Sequence, residues 1–165
     1  MRPIDALAIA RAALREPDLP VARLDGVERE IRLLVDHRED LVAERTRIIA
    51  RLRWHLHELD PAWTPPAKLD RASAFDRFAT YLAQATGLLA RLAATLVEHC
   101  RRLTVEIDDL ATEIGARITK LAPSLLAIIG CAELTAAKII GETAGVDRFR
   151  SKDAYARHNR GASQC

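Results

Sequence analysis

A seven-residue repeat of apolar side chains over residues 88–121 limits the fold of this chain more than any other feature. Two columns recur every seven positions. They are Leu89, Leu96, Leu103 and Leu110, and Ala93, Cys100, Ile107, Ile114 and Leu121. Apolar residues at this spacing lie along one side of an α-helix, as at the a and d positions of a coiled coil. Residues 88–121 are therefore predicted to form one long helix that packs against another helix.

Residues 27–59 supply a second helical segment, about 50 Å long at a rise of 1.5 Å per residue. Its apolar residues form a stripe broader than a coiled-coil seam, which indicates contact with more than one neighbour. They are Ile31, Leu34, Val35, Leu41, Val42, Ile48, Ile49, Leu52, Leu56 and Leu59. Prolines break the pattern in residues 60–69. We predict an all-α fold with a long antiparallel coiled-coil hairpin; dimerisation through the same seams is the alternative.

Shorter helices are predicted on either side of these segments. Residues 3–14 begin with a proline and carry an Ala/Leu/Ile face, and residues 16–26 contain two prolines that favour an extended connector. Residues 70–85 place Phe75, Phe78, Ala79 and Leu82 on one side of a helix. Trp63 is expected to anchor the turn before that helix.

Charge and composition exclude some classes of protein. Apolar residues make up 49% of the chain and aromatic residues only 4%, which is typical of aliphatic helix packing. The formal net charge is only +2, so a nucleic-acid surface would have to be a local patch. The cysteines Cys100, Cys131 and Cys165 have no metal-ligand spacing. Neither a signal peptide nor a membrane span is recognised, so the predicted location is the cytoplasm.

Residues 125–145 contain two apolar helical segments broken at Gly130, Cys131 and Ala132. This arrangement is typical of a helix-hairpin-helix, in which the turn amides and the N-terminus of the second helix donate to a phosphate. Thr135 and Lys138 are candidate additional contacts. The usual second glycine is replaced by Ala132, and the alternative is a plain helical hairpin packed on the core.

Two basic segments are candidate phosphate surfaces. The run of Arg45, Arg47, Arg51 and Arg53, with His55 and His57, contains no carboxylate. Such a run is either an ordinary solvated face or a phosphate-contacting face, with RNA as one possible ligand. The second segment follows the hairpin and includes Arg148, Arg150 and Lys152.

A complete catalytic site is not predicted. The sequence contains no Gly-rich phosphate loop, HExxH or CxxC motif. Its five histidines show no ligand pattern, and no residue beside the serines provides a base. We therefore predict no metal site.

Three segments in fixed order resemble the DEDD transposases of bacterial insertion sequences, also described as bridge-RNA-guided recombinases. They are PIDALAIARAALREPDLP, LLVDHREDLVAERTRIIARLRWHLHELDP and LLAIIGCAELTAAKIIGETAGVDRFRSKDAYARHN, together spanning residues 3–159. The resemblance implies the end of a ribonuclease-H-like domain with connector (1–26), a coiled-coil region (27–121) and part of a C-terminal transposase domain with a helix-hairpin-helix (122–165). It implies the central and C-terminal part of such a protein, truncated at both ends.

The family resemblance carries only one catalytic residue into this chain. Asp5 and Ala6 match the second half of the family's Asp-x-x-Asp-Ala motif, whereas Arg2 replaces its first aspartate. Asp5 is therefore the candidate remnant of the four acids that hold Mg²⁺ in the family. Ser163 lacks the Gly-x-x-Pro context of the family's serine nucleophile and is not assigned that role.

The resemblance implies a fragment that acts in DNA transposition and recombination by binding DNA and by coiled-coil assembly, without catalysis by itself. No cofactor is expected in this fragment. The expected partners are DNA, a structured guide RNA and further copies of the chain, without a membrane. Two alternatives are a helical oligomerisation module with no nucleic-acid role, and a recombinase completed by a partner chain that supplies the missing acids and serine.

Overall fold

The computed structural model describes residues 3–15, 25–66 and 72–162, and the side chains of residues 7–15, 25–66 and 73–157. These residues form helices and turns, with no strand among them, which confirms the all-α prediction for this part of the chain. The helices are α1 (Pro3–Arg15), α2 (Val27–Leu59), α3 (Ala72–Leu82), α4 (Leu88–Leu121), α5 (Pro123–Leu126), α6 (Glu133–Thr143) and α7 (Lys152–Ala162). A 3-10 turn, Val146–Arg148, lies between α6 and α7. Most of the connector predicted over residues 16–26 lies outside the described residues.

Helices α2 and α4 pack together along their lengths and run in opposite directions. Residues near the start of α2 contact residues near the end of α4, and residues farther along α2 contact earlier residues of α4. The side-chain pairs that show this are Glu30–Arg117 (2.6 Å), His37–Glu106 (3.9 Å) and Glu44–His99 (3.4 Å). We call this pair the α2/α4 hairpin.

The buried face of α4 differs in part from the predicted seams. The column Ala93, Cys100, Ile107 and Ile114 is fully buried, but Leu121 at its end is 40% exposed. In the predicted leucine column Leu103 is buried, whereas the others are only half-buried. The second buried column lies one position later, at Ala90, Val97, Thr104 and Ile118. This second column was hard to recognise in the sequence because it contains the small Ala90 and the polar Thr104. The leucines of the predicted column lie at the edge of the buried face, which is broad because α4 contacts α2, α3 and α6.

Helix α3 packs on α4 and closes the first of two apolar cores, which we call the hairpin core. Phe75 and Phe78 are fully buried there, as the spacing of the predicted helix requires. Trp63 stacks on Tyr81 with ring centroids 4.6 Å apart, and it also contacts Phe78 at 5.3 Å. The prediction that Trp63 anchors the turn before α3 agrees with these contacts.

Helix α6 closes a second core, the α6 core, against α2 and α4. Ala136 and Ala137 are completely buried. Their partners are Ile31, Val35, Ile114 and Ile118. This arrangement explains the broad apolar stripe of α2, because α2 contacts α4 along its length and also contacts α6 near its own N-terminus. The predicted boundary between residues 121 and 122 stays a prediction, and α6 shares a core with both long helices.

Candidate nucleic-acid interface

The turn before α6 is open to solvent. Gly130 has φ +87°, a conformation that favours glycine, and a Cβ at this position would have no atom within 4 Å. Ile129 beside it is fully exposed, and Ile128 is 57% exposed. The packed part of this segment lies on both sides of the turn, where Leu126 and Leu134 contact the α6 core.

The backbone N–H groups available near Gly130 belong mainly to the first residues of α6. The amide of Cys131 already donates to the Ile128 carbonyl oxygen (3.0 Å). Ala132, the residue before the helix, provides no side-chain cap. The first N–H groups of a helix have no intrahelical acceptor, so those of residues 133–135, including Thr135, point toward the N-terminal end of α6. Glu133 places a carboxylate on the same turn, and its stem packs on α4 at Gly115.

Lys138 is directed at α2 and holds α6 against it. Its Nζ donates to Glu39 (2.8 Å) and also lies 4.0 Å from Asp36 and 3.8 Å from Glu142. The hydrogen bond to Glu39 is the main cause that raises the pKa of Lys138. Three carboxylates around one ammonium leave Lys138 little excess charge for a phosphate.

The basic segment after α6 contains both anchored and exposed cations. Arg148 Nε donates to the Thr143 carbonyl oxygen (2.8 Å), and the guanidinium lies 4.5 Å from the centre of the Phe149 ring. Phe149 contacts Tyr155 edge to face at 5.1 Å. Arg148 therefore closes the C-terminal end of α6, where a cation is favourable. Arg150 and Lys152 are exposed.

The structure does not bring the turn and the basic segment to one point, because they lie at opposite ends of α6. The helix has 11 residues, which corresponds to about 16 Å. A ligand that touched both ends would have to follow the helix.

The predicted arginine run of α2 divides between the interior and the surface. Arg45 lies in the α2/α4 interface, where its Nη1 donates to Thr104 Oγ1 (3.0 Å). The other three, Arg47, Arg51 and Arg53, are exposed.

The antiparallel pairing of α2 and α4 separates charge along the hairpin. Residues 45–59 and 88–105, which we call the basic half, hold seven arginines and two carboxylates. They are Arg45, Arg47, Arg51, Arg53, Arg91, Arg101 and Arg102, against Glu58 and Glu98. The remaining residues, 27–44 and 106–121, form the acidic half. It carries ten carboxylates and five cations, namely Glu28, Glu30, Asp36, Glu39, Asp40, Glu44, Glu106, Asp108, Asp109 and Glu113 against Arg29, Arg32, Arg38, Arg117 and Lys120. A small net charge therefore conceals a strongly basic region.

Sequence reasoning found the arginine run but missed the α4 side of the basic half. It also missed that Trp54 is 61% exposed within this region. The exposure of Trp54 could have been inferred from its position, because it lies on the side of α2 opposite the buried Leu52 and Leu56.

The described side chains do not form a metal site. No group of three or more His, Cys, Asp or Glu suited to a metal ion occurs among them. Asp5 lies in α1, but its side chain is outside the described residues. The described side chains therefore do not fit the Mg²⁺ centre that the family resemblance implies. We derive no catalytic step from them.

Residues 3–61 match a family model, and the family is that of the DEDD transposases of the IS110 type, described as Transposase. The similarity is to transposases. It covers α1 and α2, including the arginine run, and ends before the turn at Gly130. Neither the curated proteins nor the solved structures contain a significant match.

None of the described helices is both long enough and apolar enough to cross a membrane.

Proposed function

We propose that this chain is part of an insertion-sequence transposase of the DEDD type, and that it contributes nucleic-acid binding and helical assembly to DNA transposition. The observation that carries the proposal is the match of residues 3–61 to that transposase family. The matched segment contains Arg47, Arg51 and Arg53, whose exposed guanidinium groups suit phosphate oxygens.

Within this proposal, the basic half of the hairpin is the main phosphate surface. Five of its arginines are exposed, whereas Arg101 is paired with Glu98 and with Asp76 of α3 (2.6 Å). The exposed ones are Arg47, Arg51, Arg53, Arg91 and Arg102. The turn at Gly130, with Thr135, and the exposed pair Arg150 and Lys152 are secondary contacts. Lys138 and Arg148 act by holding α6 in place, so changing either to glutamate would disturb the fold and would not isolate a binding defect.

The test is the salt dependence of DNA binding, measured by fluorescence anisotropy with a labelled duplex. Replacing Arg47, Arg51 and Arg53 together by glutamine is expected to weaken binding and to reduce the slope of log K against log salt by about one per arginine. The matched control replaces Arg11, Arg15 and Lys120 by glutamine, because these side chains are also exposed and remove the same charge. Equal losses in the two triple variants, or no binding at low salt, would contradict the proposal.

An oligomerisation module without a nucleic-acid role is the second candidate. Exposed apolar side chains on α4 favour it, namely Leu88 (62%), Leu92 (45%) and Val105 (62%). Changing Leu92 and Val105 to serine is expected to lower the mass measured by sedimentation if these residues mediate assembly. Loss of assembly, together with no DNA binding by the unchanged protein, would favour this second function.

A further inference from the structure

Core packing does not explain Trp54. The side chain is 61% exposed on the outer face of α2, while Leu52 and Leu56 on either side in sequence are buried. Trp63, in contrast, packs between aromatic rings of the hairpin core. A large aromatic surface left in water beside exposed arginines indicates a binding surface.

The side chains that precede Trp54 on the same face of α2 are cationic. Arg51 precedes it by three residues and Arg47 by seven, and His57 follows it by three. Residues at these spacings lie on the same face of a helix. No carboxylate occurs between residues 45 and 57, and the exposed Glu58 follows Trp54 by four. This face therefore presents an aromatic ring with two arginines on its N-terminal side and one carboxylate on its C-terminal side.

A second copy of the same face is a poor partner for it. Association with the two copies of α2 parallel would place Arg47 and Arg51 of one copy near the same arginines of the other, and like charges repel each other. A polyanion with flat apolar groups fits both properties, because phosphates pair with guanidinium groups while bases stack on an aromatic ring.

We propose that Trp54 is a stacking platform for unpaired bases of single-stranded nucleic acid, with Arg47 and Arg51 contacting the flanking phosphates. The proposal rests on the proposed nucleic-acid function and adds a preference for single strands. In a duplex the base faces are already stacked on each other, so Trp54 could not reach them without disrupting the helix. The sugar takes no part in these contacts, so DNA and RNA strands are both ligands.

Tryptophan fluorescence tests the contact directly. In a Trp63→Phe background Trp54 is the only tryptophan, and in a Trp54→Phe variant Trp63 is the only one. We expect oligo(dT) and oligo(U) of about 15 nucleotides to quench the first variant and not the second. A hairpin duplex of similar charge is expected to bind without quenching either.

Affinity provides a second readout in the otherwise unchanged protein. Trp54→Ala is expected to weaken single-strand binding roughly 5- to 100-fold, and Trp54→Phe to restore most of it. Duplex affinity and the salt slope should stay unchanged, because tryptophan neutralises no phosphate. Leu33→Ala is the matched control, since Leu33 is 51% exposed on α2, three heptads before Trp54 and in the acidic half.

The outcomes separate this inference from the proposed function. Single-strand binding without quenching, or equal losses for duplex and single strand in Trp54→Ala, would overturn the inference and leave nucleic-acid binding standing. Absence of binding to every probe at low salt would overturn both. A Trp54→Ala variant that changes the sedimenting mass but not the affinity would assign this face to protein association and would also overturn the inference.

Discussion

Gly141 lies where α6 approaches the backbone of α2 closely. A Cβ at this position would lie 3.0 Å from the Cα and 3.1 Å from the Cβ of Arg32. These are backbone and near-backbone atoms that cannot move without moving α2. The glycine is therefore required by the close approach of two helices, and its φ angle plays no part.

The Gly141→Ala variant is expected to unfold more easily, because α6 must shift outward to accommodate the methyl group. Overpacking of this kind costs about 1–3 kcal/mol, which urea denaturation followed by circular dichroism can measure. Gly115→Ala is the matched control. Its Cβ would meet the Glu133 Cγ at an ordinary 3.6 Å, and alanine is the better helix former by about 1 kcal/mol. Equal gains in stability at the two positions would show that α6 lies farther from α2.

Arg45 shows how one residue in a charged run can serve a different purpose from its neighbours. Its guanidinium bonds Thr104, whose hydroxyl in turn donates to the Cys100 carbonyl oxygen (2.8 Å). Burial raises the pKa of the Cys100 thiol to about 11, and the nearby Arg45 charge partly opposes that rise. Cys100 is therefore a neutral core residue at physiological pH, and Arg45 links the two long helices.

At the scale of elements, two kinds of contact hold α6 in place: close packing of small residues, and ion pairs between Lys138 and α2. Its buried positions are Ala136, Ala137 and Gly141, which supply close contact but little apolar area. The ion pairs of Lys138 with α2 add an attachment at the edge of this contact. A helix with so small an apolar face depends on its docking contacts more than on its own propensity.

Replacing Lys138 by methionine is expected to lower stability by about 0.5–1 kcal/mol, in the range of exposed ion pairs. Lys138→Glu should lower it further, because a fourth carboxylate would join Asp36, Glu39 and Glu142. Because the folded-state pKa of Lys138 is raised, its contribution is fully present below the ordinary lysine pKa of about 10.4. It is lost as pH rises through the folded value.

The measurement is the urea midpoint of the Lys138 variants and the unchanged protein from neutral pH to above the lysine range. The difference between Lys138→Met and the unchanged protein should shrink at the alkaline end. Lys120→Met is the control, since Lys120 is exposed in the last turn of α4. A pH-independent difference would mean that the methylene stem, and not the charge, holds α6.

At the scale of the whole molecule, two apolar cores lie along one pair of helices. On α2, Val35 belongs to the α6 core and Leu41 to the hairpin core. Arg38 lies between them in sequence and is half-buried, and its Nε is buried without a hydrogen-bond partner. An unsatisfied buried donor lowers stability, so Arg38 lowers the stability of the fold at the point where the two cores meet.

Arg38→Leu is therefore expected to raise the free energy of unfolding by about 1 kcal/mol, because it removes the unsatisfied donor and adds apolar contact between the cores. Urea denaturation measures the change, and the two cores should then unfold in a more cooperative transition. Arg32→Leu is a suitable comparison, since that residue pairs with Asp36 and Glu142 and its loss should not stabilise. A large destabilisation by Arg38→Leu would show that its remaining nitrogens form contacts that outweigh the orphaned Nε.

The sequence was sufficient for the elements themselves. The predicted limits of the two long helices, 27–59 and 88–121, agree with α2 and α4, because a sustained apolar period and nearby prolines or glycines define a helix locally. The side of α3 that carries Phe75 and Phe78 was likewise predictable. The open turn at Gly130 was a candidate from its glycine, whereas its use as a phosphate site stays a prediction.

Only the tertiary structure decided which charges cooperate. Helical periodicity reports one helix at a time, so it could not show that arginines of α2 and α4 fall in the same half of the hairpin, or that Lys138 is held by acids of another helix. The same limit explains the shift of the α4 seam, since the buried Thr104 accepts a hydrogen bond from Arg45 of the opposite helix. Local patterns determine where helices form, while burial and pairing depend on the surface that each helix meets.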